Sequence, residues 1–457
     1  MNIYLHVEVS VRELDSKLLL AVLAASKGHE VLVTDGIGVI DAFKSGNLYP
    51  GIFHTKSITP SNIKIKRHQE IISKGFKITC LDEESTSFHF DGVEQYIKSR
   101  SSDKTVEQSE ALFAWGEEEE KILKRLYTNN QHKIYKTGSP RVDLWKSKFL
   151  DYWKKPKYIL NEPFLLVSSN MTATGKMQFH DNIKMLRDFG YFKRKPELFK
   201  QRFYEVSEDY KKIYEFILAI EYLAKNNNGY QIVFRPHPSE NINSWKIFLK
   251  DIPNLYIIRE DSISAWVNHA FAVMHNGCTT GLESIISGKP LLTFIPFEME
   301  HDNKFLNSIG FKLNSKEVLL KKANEIFSAH KKDNIKREEI KLPEHINKKL
   351  YIDDNELAAE KILRIWENLN EKNLSQPNNW LKFYFLFKMM SLKNFFRKIV
   401  SKLFPKILKP IEKNHKFPSL NQNDIQARVN CLQNLLGIEK KLKCRLFSER
   451  TILIKNS

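Results

Sequence analysis

The feature that most constrains this chain is a strand–helix–strand rhythm that runs twice and is interrupted once. NIYLHVEV (2–9) is β-branched and aromatic and reads as a strand, and the stretch 12–30 reads as a helix closed by Gly28. VLVTD (31–35) is again a strand, followed by the GIG turn at 36–38. GIFHT (51–55), FKITCL (76–81) and ALFAWG (111–116) continue the strands. A helix is expected over 61–74, and another opens on four glutamates at 117–120, where acids suit the positive helix end. The segment 149–163 mixes Pro, Lys and aromatics and reads as a linker. A second series then begins: FLLVSSN (164–170), YQIVFR (230–235), LYIIRE (255–260), FAVMHN (271–276) and PLLTFIP (290–296), with amphipathic helices such as 208–226 between them. Alternation at this spacing predicts parallel, doubly wound sheets. Two such series suit a chain of 457 residues, too long for one core. The expected fold class is α/β, with domains at 1–150 and 151–372 facing a crevice and a basic helical tail at 373–457.

Charge locates the tail. The net charge is +18, yet residues 376–457 hold 17 Lys/Arg against 4 Asp/Glu, so the body is nearly neutral. Residues 380–416 carry ten Lys/Arg, one Glu and six Phe, broken by Pro405 and Pro410. Basic residues alternating with Phe, Leu, Ile and Val at near-helical spacing suit an anionic membrane surface better than nucleic acid. The expectation is one or two amphipathic helices over 380–409. Phe383, Phe387, Met390, Phe396, Val400 and Leu403 would enter the interface, beside Lys393, Arg397, Lys398 and Lys402. The competing expectation is a helical extension packed on the first domain. The apolar run 18–25 is too short to span a bilayer. Cys80, Cys278, Cys431 and Cys444 form no CxxC pair, which suits a reducing compartment. A cytoplasmic protein, peripheral at the inner face of the membrane, is expected.

Ligands of doubly wound folds bind beyond the carboxyl ends of the strands, so motifs there weigh most. RPHPSE (235–240) follows a buried strand. Arg235 and His237, stiffened by Pro236 and Pro238, could hold a phosphate and stabilise charge on its departure. NGCTTGLE (276–283) brings Asn276, Gly277, Cys278, Thr279, Thr280 and Gly281 to a helix start suited to an anion, with Glu283 one turn in, where it could accept from a ribose. Simple helix capping by Thr279 or Thr280 is the plainer alternative. Ser169 and Asn170, after the first strand of the second series, could cap the same group. In the first domain Asp82, Glu83 and Glu84 follow a strand, and one could act as base or nucleophile. Glu8 and Arg12 stand at the first strand-to-helix turn, and Arg141 lies near the domain junction; all three are candidate substrate contacts. No cluster has metal-ligand spacing, and there is no P-loop or GxGxxG. Neither a metal nor a cofactor is expected.

Taken in order, VRELDSKLLLAVLAASKGHEV, LDEES, FAWGE, TGSPRVDLW, FRPHPSEN and NGCTTGLESIISGKP resemble the bacterial surface carbohydrate biosynthesis protein family over roughly residues 1–370. That resemblance implies a GT-B glycosyltransferase with two Rossmann-like domains, similar to enzymes that use CMP-activated acidic sugars such as Kdo or a nonulosonate. It implies that His237 with Pro238, and Thr279 with Thr280, hold the nucleotide phosphate, and that Asp82, Glu83 or Glu84 supplies the catalytic carboxylate. Two departures stand out: the acidic motif ends in Ser85 rather than Gly, and Cys278 precedes the Thr pair.

The leading expectation is a metal-independent glycosyltransferase that moves a sugar from a nucleotide-sugar to a surface glycan or lipid-linked saccharide (lipopolysaccharide, O-antigen or capsule). One alternative is an activity like that of UDP-GlcNAc 2-epimerase. The other is a non-catalytic, membrane-associated nucleotide-sugar binder.

Overall fold

A computed structural model describes the chain apart from residues 36–39, 41–42, 44–47, 85–92, 157–161, 172–183, 185–186, 189, 195, 238–239, 300–301, 333–341, 370–377, 386–387, 390–395 and 397–416. The chain divides into two compact units. The first is Met1–Ser87, Asp91–Leu144 and Pro343–Ser457, and the second contains Trp145–Leu342.

In the first unit, β1 (Asn2–Val7), β2 (Glu30–Asp35), β3 (Ile52–Thr55), β4 (Lys77–Leu81), β5 (Ala111–Ala114) and β6 (Ile134–Lys136) form a parallel sheet. Their order is β2-β1-β3-β4-β5-β6, which places the topological switch point between β1 and β3. Near-continuous apolar runs such as NIYLHV are what strands covered on both faces require. The helix Ser10–Ser26 follows β1 and is buried along almost its whole length, Glu13, Asp15 and Lys17 included.

The second unit repeats the plan with β7 (Phe164–Ser168), β8 (Gln231–Arg235), β9 (Leu255–Ile257), β10 (Ala272–His275), β11 (Leu291–Phe294) and β12 (Phe311–Leu313). All pairings are parallel, in the order β12-β11-β10-β7-β8-β9. Counted within the unit this is 3-2-1-4-5-6 read from the β9 edge, the doubly wound order whose switch point lies between β7 and β10. Its core gathers Val167, Phe216, Phe234, Trp245, Met274, Phe294 and Phe327.

The structure moves the expected boundary at 372. The chain returns to the first unit at Pro343, for identifiable reasons. Gly116 and Gly138 leave room for it: a Cβ at Gly116 would lie 2.1 Å from the Lys349 carbonyl, and one at Gly138 would lie 2.5 Å from that of Tyr351. Tyr351 N–H donates to the Trp115 carbonyl at 2.7 Å. The Asp143 carboxylate accepts from Ala359 N–H at 3.0 Å. Fully buried Trp366, on the helix Ala358–Leu369, donates to Thr79 Oγ1 at 3.0 Å.

The tail is also more than helical. Asn421 and the left-handed Gly437 cap the helix Gln422–Leu436, after which β13 (Leu442–Ser448) and β14 (Thr451–Asn456) form an antiparallel hairpin. β14 pairs antiparallel with β2, so the sheet grows to eight strands. Trp380, Phe383 and Phe447 enter the core beside Tyr4, Phe43 and Phe76, and Asn378 Nδ2 donates to Tyr4 Oη at 3.0 Å. Phe383 is therefore a core residue rather than a membrane contact, because the β14 extension creates an apolar face that needs covering. Phe396 is exposed. The other residues expected at the membrane, Phe387, Met390, Val400, Leu403, Lys393, Arg397, Lys398 and Lys402, lie outside the described residues. Among the described residues no helix is long and apolar enough to cross a membrane.

Candidate functional site

At the switch point of the first unit the carboxyl ends of β1, β3 and β4 gather a network of charges. Glu13, in the first turn of the helix Ser10–Ser26, reaches back to accept from Glu8 N–H at 2.7 Å and from Arg12 Nη2 at 3.3 Å. Glu8 pairs with Lys56. Burial, then the neighbouring Glu83, pushes the Glu13 carboxyl above its ordinary range. Four residues along the same helix, Lys17 Nζ lies 2.5 Å from Glu83 Oε1, and both side chains are about 1% exposed. Glu83 Oε2 is buried without a hydrogen-bond partner. His6 nearby is held neutral, its pKa pushed down to about 3 by burial and then by Lys56.

The three consecutive acids have separate fates. Asp82 is held by Arg100 through two bonds of 2.7 and 2.8 Å, and its carbonyl accepts from Trp115 Nε1. Beneath that pair lies a cavity of about 40 Å³ lined by Cys80, Asp82, Arg100 and Leu112 among others, room for about one water. Glu83 is buried on Lys17. Glu84 alone of the three reaches solvent appreciably, at 39% exposure, with Arg100 at 3.3 Å, Arg12 at 3.4 Å and Lys56 at 3.9 Å. The structure thus joins Glu8, Arg12 and the acids into one site. Arg141 stands apart on the helix Pro140–Asp143, after the edge strand β6, three strands from β3.

The switch point of the second unit is built mostly from neutral groups. His275 ends β10, and burial lowers its pKa to about 3. Neutral, its Nδ1 accepts from the N–H groups of Gly277 and Cys278 at 3.2 and 3.3 Å, while Nε2–H faces Thr293 Oγ1 at 2.9 Å. The imidazole therefore shapes the turn 276–281. Gly281 packs directly on it, since a Cβ there would fall 2.5 Å from the ring. Gly277 takes φ +83°, which favours glycine. Asn276 Oδ1 accepts from Asn170 N–H at 2.7 Å, and Asn170 Nδ2 donates to the Gly277 carbonyl at 3.0 Å. Ser168 Oγ meets Thr280 Oγ1 at 3.3 Å and accepts from the Cys278 thiol at 3.4 Å. The loops after β7 and β10 are in this way stitched together.

The loop after β8 joins them through Glu240. Its carboxylate accepts from Ser169 Oγ at 2.8 and 3.0 Å, from Met171 N–H at 2.8 Å and from Trp245 Nε1 at 2.7 Å. Arg259 donates to the carbonyls of His237 and Glu240 at 3.2 and 2.7 Å.

Several expectations change here. Arg235 does not face a ligand: its guanidinium bonds the carbonyls of Arg259, Glu260 and Asp261 and lies over the Trp266 ring. Burial lowers its pKa to about 10, and it holds the loop that carries Asp261 at φ +64°. Glu283 is 3% exposed, which leaves it no surface to offer a ribose. Cys278, Thr280 and Gly281 serve the inside of the turn. Thr279 makes no side-chain cap bond to its helix. Of the expected phosphate-site residues, Asn170, His237 and Thr279 are half-buried and stand at the rim. Pro238 lies outside the described residues. Sequence reasoning missed His275, Glu240 and Arg259. The only signal for Glu240 was its place at the end of RPHPSE, and for Arg259 its place at the end of a strand. Among the described residues no three His, Cys, Asp or Glu side chains could together hold a metal ion.

No family model matches this chain, and no curated protein matches it. Among solved structures, one from Listeria monocytogenes, assigned as a UDP-N-acetylglucosamine 2-epimerase, matches with TM-score 0.50 at 12% identity, over 82% of this chain and 98% of that one. A UDP-GlcNAc 2-epimerase from Neisseria meningitidis bound to UDP-GlcNAc gives 0.45 at 12%, over 81% and 100%. The wall teichoic acid polymerase TagF gives 0.40 at 10%, over 71% and 74%. The first of these, together with the two strand orders, establishes the fold: two Rossmann-like α/β units of the GT-B type.

Proposed function

We propose that the protein is a glycosyltransferase that binds a nucleotide-activated sugar at the second unit's switch point. The supporting observation is the stitched edge after β7, β8 and β10, with Asn170, His237 and Thr279 on its rim. Prearranged donors at such an edge suit a phosphate whose charge grows as the sugar leaves. In the first unit Glu84 is the accessible one of the three consecutive acids. Arg12, Lys56 and Arg100 stand within 3.9 Å of it and orient it toward an acceptor hydroxyl. Asp82 and Glu83 then serve as its support. A CMP-linked acidic sugar remains the proposed donor, a surface glycan or lipid-linked saccharide the acceptor, and an anionic membrane the surface met by the part of 380–409 beyond the core residues Trp380 and Phe383.

His237→Ala should lower turnover by about 10²–10³-fold, the scale for losing one stabiliser of leaving-group charge. Glu84→Gln should lower it by about 10²-fold with nucleotide binding intact. Activity within about threefold of wild type, in a folded variant, removes that residue from the chemistry.

The second reading, epimerisation of UDP-GlcNAc, is favoured by the fold match to the Listeria monocytogenes structure. Heat-unfolding shifts with CMP, CDP and UDP, followed by incubation with the matching nucleotide-sugars, separate the two. Epimer or free UDP formed from UDP-GlcNAc without acceptor selects the epimerase. Stabilisation by CMP, with transfer only when a glycan is added, selects the transferase.

A further inference from the structure

The buried carboxylate of Glu240 has an unusual set of neighbours: every polar group that touches it is a donor. Oε1 accepts from Met171 N–H and Ser169 Oγ, and Oε2 accepts from Trp245 Nε1 and Ser169 Oγ. Burial pushes its pKa above the ordinary carboxylate range, while these donors and the His237 backbone N–H pull the other way. The residue is 2% exposed, so no substrate reaches it. Its carbonyl and that of His237 are held by Arg259, while Arg235, from the end of β8, holds the carbonyls of residues 259–261. Two loops thus clasp each other through reciprocal arginines, and Glu240 ties the clasp to the loop after β7.

We infer that Glu240 is the positioning residue of the phosphate-binding edge, an anionic acceptor that fixes the His237 turn against the Ser169–Met171 loop. The inference rests on the reading of that edge as a nucleotide site. Its atomic content is specific. Glutamine has the same size but carries one donor group. Turned one way, its NH2 faces Met171 N–H; turned the other way, it faces Trp245 Nε1–H. Either orientation sets donor against donor in a buried place, which loosens one loop or the other. Removing the indole donor cures this. In Glu240→Gln/Trp245→Phe the NH2 takes the Oε2 place and donates to Ser169 Oγ, whose hydroxyl can rotate, while the amide oxygen still accepts from Met171 N–H.

The test titrates full-length protein with UDP, CDP and CMP and follows the nucleotide that wild type binds best. Glu240→Gln is expected to weaken that nucleotide about tenfold or more, and to speed amide exchange in 169–171 while the rest of the unit exchanges as before. Adding Trp245→Phe to Glu240→Gln is expected to recover at least threefold of the affinity, although Trp245→Phe alone recovers nothing. Glu240→Gln binding within twofold of wild type overturns the inference. So do losses from the two substitutions that multiply instead of compensating. If neither variant folds, Glu240 is a folding residue and the inference also fails. Wild type that binds no nucleotide at all overturns the functional reading itself, a result distinct from any of these.

Discussion

At the β1/β3 switch point the buried polar groups include a cluster of ion-pairing residues, Glu13, Lys17 and Glu83, with Arg12, Lys56, Asp82 and Arg100 around them. At the β7/β10 switch point most are neutral: Ser168, Asn276, Thr280 and an uncharged His275, beside two buried acids, Glu283 in the turn's own helix and Glu240, which ties in the next loop. The same backbone solution is therefore completed in two ways. Ion pairs keep charge available beside a carboxylate that needs it, but each buried ion must be matched or it costs several kcal/mol. Hydroxyls, amides and a neutral imidazole set loop geometry without spending charge, which leaves the edge open to an anion. The first edge should thus be sensitive to charge and pH, and the second to shape.

The sharpest break comes from Lys17→Met. It strands Glu83 beside Glu13 in a buried place, and should cost about 3–5 kcal/mol of stability, read by denaturant unfolding. A cost under 1 kcal/mol would mean the two acids share a proton without needing the lysine.

Acid should separate the units next. His6, His54 and His68 in the first unit, and His275 in the second, are all held below their free pKa by burial. Stability from such a group is complete above its free pKa, near 6.5, and drains as pH falls toward the folded value. Each contributes about 1.4 kcal/mol per pH unit across that window. Regional amide exchange between pH 6.5 and 4.5 should show the first unit loosening before the second. The opposite order breaks the comparison.

Gly281→Ala addresses shape alone. Its methyl meets the His275 ring and should cost about 1–3 kcal/mol, with exchange rising in 276–281 and the first unit unchanged. The smallest effect is that of Glu84→Gln on stability, within about 1 kcal/mol because its pairs are solvated. Set against the expected loss of turnover, it marks Glu84 as working rather than structural.

Most of this architecture is legible in the residues. Ten of the twelve parallel strands coincide with apolar runs recognisable by composition. β6 and β12 escape because three residues, IYK and FKL, carry no pattern of their own and become strands by pairing with a neighbour. The hairpin β13–β14 does show alternation in LKCRL, but the tail's basic charge dominates a reading by composition. For the site, position beyond a strand end locates the right loops and misassigns jobs within them. Arg235 reads as a phosphate ligand because its type and place suit one. What it contacts is decided by the carbonyls that β9's loop turns toward it, and no spacing in the chain records those.

The hairpin has one more consequence. Thr451 meets Thr34 across 417 residues, with hydroxyls 2.9 Å apart, so the sheet that begins at residue 2 is extended by a hairpin made long after it. On a ribosome the second unit, though later in sequence, has all its strands before the first unit has its own. Until β14 is made, β2 is an open edge able to pair with other chains. Its closure needs contacts of the slowest, most distant kind. A sealed sheet thus requires translation through β14, while a chain halted at residue 372 would expose both that edge and the apolar face meant for Trp380, Phe383 and Phe447.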